Sequence, residues 1–72
     1  MRAVLAVFER GFPGIVAVEG DFTDAVGYTV AGIGIQPGTV IVQVIEPNVA
    51  MLSLPPTRDT GIAGVAVAVG RP

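Results

Sequence analysis

The feature that most limits what this chain can fold into is a long stretch without charge. Residues 25–45, AVGYTVAGIGIQPGTVIVQVI, contain no Asp, Glu, Lys or Arg. Gln36-Pro37-Gly38-Thr39 sits in the middle. Proline presets φ for the first central position of a tight turn, and glycine tolerates the positive φ that a type II turn needs at the second. β-Branched and aromatic residues lie on either side. The pattern therefore predicts two strands, about Val26–Ile35 and Thr39–Ile45, joined at Pro37-Gly38. The run is also long enough to cross a bilayer as a helix. Its glycines at 27, 32, 34 and 38, the Pro-Gly pair and the β-branched residues favour strands and a turn instead.

Length adds a second constraint. A chain of 72 residues makes one domain, residues 1–72. A domain this small buries only about 60% of the surface its unfolded form exposes. Disulfides, a metal or oligomerisation are the usual remedies. Cysteine and histidine are both absent, which removes disulfides, thiolate metal sites and the commonest zinc ligand. Oligomerisation is the remedy left open. Charged residues make up 14% of the chain against about 25% in average soluble domains. So few charges leave little to keep apolar surface wet and monomeric. The plainer alternative is a compact monomer rich in Ala, Val and Gly.

Along the rest of the chain, short apolar segments alternate with turn signals. Arg2–Phe8 reads as a strand with apolar residues in both rows. Glu9-Arg10-Gly11-Phe12-Pro13-Gly14 breaks it. Phe12 there is either a lid on the core or an anchor into a neighbour, lids being the commoner. Ile15–Glu19 is a short strand with Val16 and Val18 on one face. Gly20–Asp24 is a polar connection. Glu46-Pro47-Asn48 marks a turn, and Ala50–Leu54 a fifth strand with Leu52 and Leu54 inward, although 48–54 also admits helical spacing. Pro55–Gly61 is the longest polar stretch and reads as a surface loop. Ile62–Val69 closes the series, its Gly64, Ala66 and Ala68 row suited to a tightly packed second layer. The expected architecture is all-β: a small antiparallel β-sandwich or barrel of about six short strands, oligomeric.

Nearly every charge falls in a connection or at an end, so the strands lack the polar outer row of a two-layer sheet protein in water. Both faces of several strands read as covered. A chain of this length cannot supply that cover alone, and contacts with further subunits are the simplest source.

The chemistry-bearing residues are few. Nucleophilic catalysis by Ser or Cys with His assistance is excluded, because Cys and His are absent and Ser53 is the only serine. Glu19, Asp21 and Asp24 form an acidic cluster that could serve a hard cation, but the spacing does not match a calcium loop and a solvated turn is the commoner meaning. Gly32-Ile33-Gly34 lacks the third glycine and following helix of a dinucleotide fingerprint. No cofactor and no metal are expected. Four scattered arginines, no lysine and a net charge of −2 give no basic stripe for nucleic acid. No membrane partner is expected either, since Met1-Arg2-AVLAVF, interrupted by Glu9-Arg10, makes a poor signal peptide. Arg58-Asp59 is either a local ion pair or, with Arg58 beside Pro55-Pro56, part of an interface, where arginine is enriched.

These readings converge on a non-enzymatic structural or interaction protein that works by assembling. No family motif is met, so the comparison available is one of type. Tiny, cysteine-free, low-charge β modules that self-associate resemble the small auxiliary proteins that decorate or cement phage capsids. That resemblance implies a homo-oligomer, a trimer being one candidate, bound to a capsid lattice and located in the virion, with Arg2–Phe8 and the 55–61 loop as reaching elements. Interface candidates are Phe12, Tyr28, Met51, Leu52 and Arg58. The alternative is a small oligomeric ligand-binding or regulatory β-module, cytoplasmic, with a pocket between subunits near Gly32–Gly34 and Tyr28.

Overall fold

Alternation along each segment decides which side chains meet. In the structure, a computed structural model describing residues 1–72, Val4, Ala6 and Phe8 of β1 (Arg2–Phe8) are buried while Ala3, Leu5 and Val7 turn outward. Strand β2 (Gly14–Glu19) buries Ile15 and Ala17 and exposes Val16 and Val18. Strands β3 (Thr29–Ala31) and β4 (Ile41–Glu46) bury Val30 and Ile41. Strands β5 (Val49–Leu52) and β6 (Val65–Gly70) bury Ala50 with Leu52 and Val67 with Val69. The six strands form one sheet in the order β3-β6-β1-β2-β5-β4, every neighbouring pair antiparallel.

The sheet curls over its buried side into a half-barrel, so the inward rows merge into a single core of 13 residues. Register shifts in the β1–β2 and β4–β5 ladders supply the bend, because an extra residue on one strand kinks it and strengthens its twist. The curl brings the two outer strands together at one place. Thr29 bridges to Val40. The Gly27 N–H donates to Ile41 O at 2.7 Å, Ile41 N–H to Tyr28 O at 2.9 Å and Val30 N–H to Thr39 O at 3.0 Å.

The Pro37-Gly38 turn forms as expected, with Thr39 N–H donating to Gln36 O at 3.2 Å and Gly38 at φ +85°. The hairpin around it does not. Strand β3 spans three residues and pairs with β6, and its contact with the segment after the turn is limited to that bridge. Consecutive turns explain the shortfall. Tyr28 N–H donates to Ala25 O and Ile35 N–H to Gly32 O, with Gly27 and Gly34 at φ +87° and +86° in the third position of each. Those glycines are turn residues, which strand composition alone did not reveal.

Three further departures follow. Phe22, inside the expected polar connection, is fully buried and is the largest such side chain in the protein. The Gly61–Gly64 turn delays β6 to Val65, leaving Ile62 out in solvent. The 55–60 segment is strapped across the end of the half-barrel near Phe8. Gly11 N–H donates to Pro56 O, Thr57 N–H to Gly34 O, and Gln36 Nε2 to Pro55 O at 2.7 Å. Arg10 N–H donates to Asp59 Oδ1 at 2.7 Å, and Pro56 itself is buried. Within 48–54, Val49–Leu52 forms strand β5 and no helix forms. The Ala66 and Ala68 row faces outward with no second layer from this chain above it. No helix is long and apolar enough to cross a membrane.

Candidate functional site

The outward side of β1, β2 and β5 is apolar. Cross-strand register aligns Val7 with Val16 and Val16 with Val49, and Gly14 with Met51. Phe12 folds down onto this face: a β-carbon on Gly14 would sit 2.5 Å from its ring. Glycine at 14 thus makes room for the ring. The ring is 56% exposed and is not a lid on the core. Together with Ile45 these residues border a shallow groove of ≈ 380 Å³. Val16, Val18, Val42 and Ile45 are each at least 40% exposed. An outer row of this kind would be polar in a sheet that faces water alone.

The five interface candidates have different fates. Phe12 and Met51 lie on the outer face and border the groove. Leu52 faces the opposite way, opposite Ile41 in the core at 4% exposure. Arg58 is exposed, but its stem packs over Gly34. It makes no ion pair with Asp59, because the sole salt bridge joins Arg2 and Asp21. Tyr28 sits at the other end of the molecule, beside Arg2 and Arg71. Gly34 and Tyr28 therefore flank opposite ends of β1 within one chain.

The acidic cluster does not converge. Asp21 Oδ1 accepts from Arg2 at 3.1 Å and from Thr23 N–H at 3.2 Å, and Asp24 occupies a turn at φ +58°. No three carboxylates come together as cation ligands. Ser53 Oγ accepts the Val40 N–H at 2.9 Å, a structural role.

A second cleft, ≈ 410 Å³, opens where the chain ends meet, lined by Met1, Arg2, Tyr28, Val69, Gly70 and Arg71. Arg71 Nε donates to the Tyr28 hydroxyl at 3.1 Å. That bond, to an oxygen that favours the charged guanidinium, raises the Arg71 pKa further above its already high ordinary value. Sequence reading singled out Tyr28 but not its two partners. Their convergence depends on the pairing of the first strand with the last, for which no local spacing exists. Alternation places Val16 and Val18 on one face but does not say which face is outward.

No protein-family model matches the chain, and no curated protein shows significant similarity to it.

Proposed function

We propose that this protein is a non-enzymatic structural module that assembles with copies of itself through the outer face of β1, β2 and β5. The observation that carries the reading is the apolar surface of Phe12, Val16, Ile45, Val49 and Met51 on a chain with few charges to keep it wet. Isolated exposed apolar side chains are ordinary, whereas a contiguous patch marks an interaction site. The patch is supported from behind by three hydrogen-bonded strands and so is preformed, which limits the ordering cost of association. The specific form of the proposal is a small auxiliary protein that decorates a phage capsid, where a rigid β body and apolar flanks are the parts required.

Light scattering coupled to size exclusion tests the assembly. At micromolar concentration the chain is expected as a discrete oligomer. Val16→Glu, which places a charge at the centre of the face without touching the core, is expected to weaken association by about tenfold or more while the fold persists. A wild-type chain that remains monomeric at those concentrations overturns the proposal.

A further inference from the structure

Register alone brings two of the four arginines to one aromatic ring. Antiparallel pairing of β1 with β6 sets Arg2 opposite Val69, and pairing of β3 with β6 sets Thr29 opposite Gly70. Tyr28 precedes Thr29 and Arg71 follows Gly70, so the three side chains meet at the end of the sheet. The guanidinium carbons of Arg2 and Arg71 lie 5.7 and 5.9 Å from the Tyr28 ring centroid. The two cations are not equally compensated. Arg2 holds Asp21 Oδ1 at 3.1 Å and donates to Thr23 O at 2.9 Å. Arg71 has no carboxylate partner, and its only hydrogen bond uses Nε. Its four terminal N–H groups point to no protein acceptor. The Tyr28 hydroxyl accepts from Arg71 and keeps its own proton to donate. A chain of net charge −2 thus carries a local excess of positive charge, with unused donors, in a cleft of ≈ 410 Å³.

We propose that this cleft binds a phosphate-type oxyanion, held by the terminal N–H groups of Arg71 and the Tyr28 hydroxyl, with Arg2 as a second fixed positive charge. A clasp that only tied the chain ends together would need the Arg71–Tyr28 bond and nothing more. Here a second guanidinium, Arg2, is fixed beside the same ring by its bonds to Asp21 and Thr23, so two like charges stand close together. An anion in the cleft that both line is attracted by each. A doubly charged tetrahedral group fits better than a carboxylate, because one guanidinium fork already satisfies a carboxylate whereas phosphate offers acceptors to both arginines and the phenol. The site is open to solvent, so binding is weak and falls with salt. It does not depend on assembly through the outer face.

The test is an NMR titration of the ¹⁵N-labelled full chain with inorganic phosphate, with acetate at equal ionic strength as the carboxylate arm. Phosphate is expected to shift the Arg71 Nε–H and the Gly70 and Tyr28 amides saturably, and acetate much less. Arg71→Gln is expected to weaken phosphate binding by about tenfold, as loss of a charge-assisted bond implies, and Arg10→Gln to leave it unchanged. Tyr28→Phe, which keeps the ring and removes the hydroxyl, is expected to weaken it less. Equal shifts with acetate, equal shifts at Arg10 and Arg58, shifts that never saturate, or an unaltered response in Arg71→Gln would each overturn the assignment.

Discussion

Arg58 lies across Gly34: a β-carbon at Gly34 would stand 2.6 Å from Arg58 Cγ and 3.2 Å from Phe8 Cε1. The same residue has φ +86° and accepts the Thr57 N–H through its carbonyl. One glycine thus permits the turn and the strapping of the 55–60 segment over the end of the half-barrel.

Gly34→Ala is therefore expected to cost more than Gly38→Ala. Both positions have positive φ, which costs an L-residue about 1–2 kcal/mol. Only at Gly34 must a side-chain stem and a buried ring also move, since Gly38 has open space around it. Urea denaturation should show a loss of about 1 kcal/mol for Gly38→Ala and about 2–3 kcal/mol for Gly34→Ala. Equal losses would show that the contact with Arg58 carries no weight.

Phe22→Ala should remove a large share of the isolated chain's stability. Removing a fully buried phenyl costs about 3–5 kcal/mol. A domain of this length has a total stability on the order of 4–11 kcal/mol. Phe12→Ala, at the half-exposed ring on the outer face, should leave the monomer's melting temperature almost unchanged and loosen assembly instead. Circular dichroism melts of the two variants separate the roles, and a large loss of fold in Phe12→Ala would contradict them.

Asp24 holds φ +58°, where glycine is free of strain and a β-branched residue is not. Asp24→Gly should change stability by no more than about 0.5 kcal/mol, because relieved strain offsets the added freedom of the unfolded chain. Asp24→Val should cost about 1–2 kcal/mol. Chemical denaturation of the pair checks the difference, and equal values would mean the turn relaxes.

Asp21→Asn should lower stability only slightly, by less than about 1 kcal/mol, because the ion pair with Arg2 is largely exposed. The same change removes the one carboxylate competing for the basic cleft. Phosphate should then bind more tightly to Asp21→Asn than to the wild type in the NMR titration, and weaker binding would place Asp21 among the groups that orient Arg2.

The upward shift of the Arg71 pKa fixes the sign of any pH effect from that contact. A group whose folded pKa is raised contributes its stability fully below the unfolded value and loses it only as pH rises through the folded one. For an arginine that window lies far into alkali. The contact between Arg71 and Tyr28 should therefore be constant from about pH 6 to 9, readable as an unchanging Arg71 Nε–H resonance.

Much of the sheet is legible because strand residues alternate and turns carry their own chemistry. Arg2–Phe8 is strand β1 to the residue, and Pro37-Gly38 turns as its composition requires. The 26–35 stretch misleads because Tyr28, Thr29, Val30 and Ile33 are strand-like while Gly27 and Gly34 hold φ angles that no strand uses. Phe22 is hidden among Gly20, Asp21, Thr23 and Asp24, and only the curl of the sheet carries it inward. Strand order is set by contacts between segments far apart in the chain. For that reason Phe12 and Met51 could be picked out one by one, while their shared face, and the meeting of Arg2 with Arg71, could not.

The pairing of β1 with β6 has a mechanical side. Arg2 and Val69 face each other, so chain continuing from either residue leaves the sheet at the same spot. A host protein could carry this domain as an insert in a surface loop, its two junctions side by side. Tension applied across those junctions would open the ladder rung by rung, Arg2 and Val69 first, as a zipper opens. It would not load all the rungs at once. The domain should therefore yield at low force when pulled by its ends, however well it withstands heat.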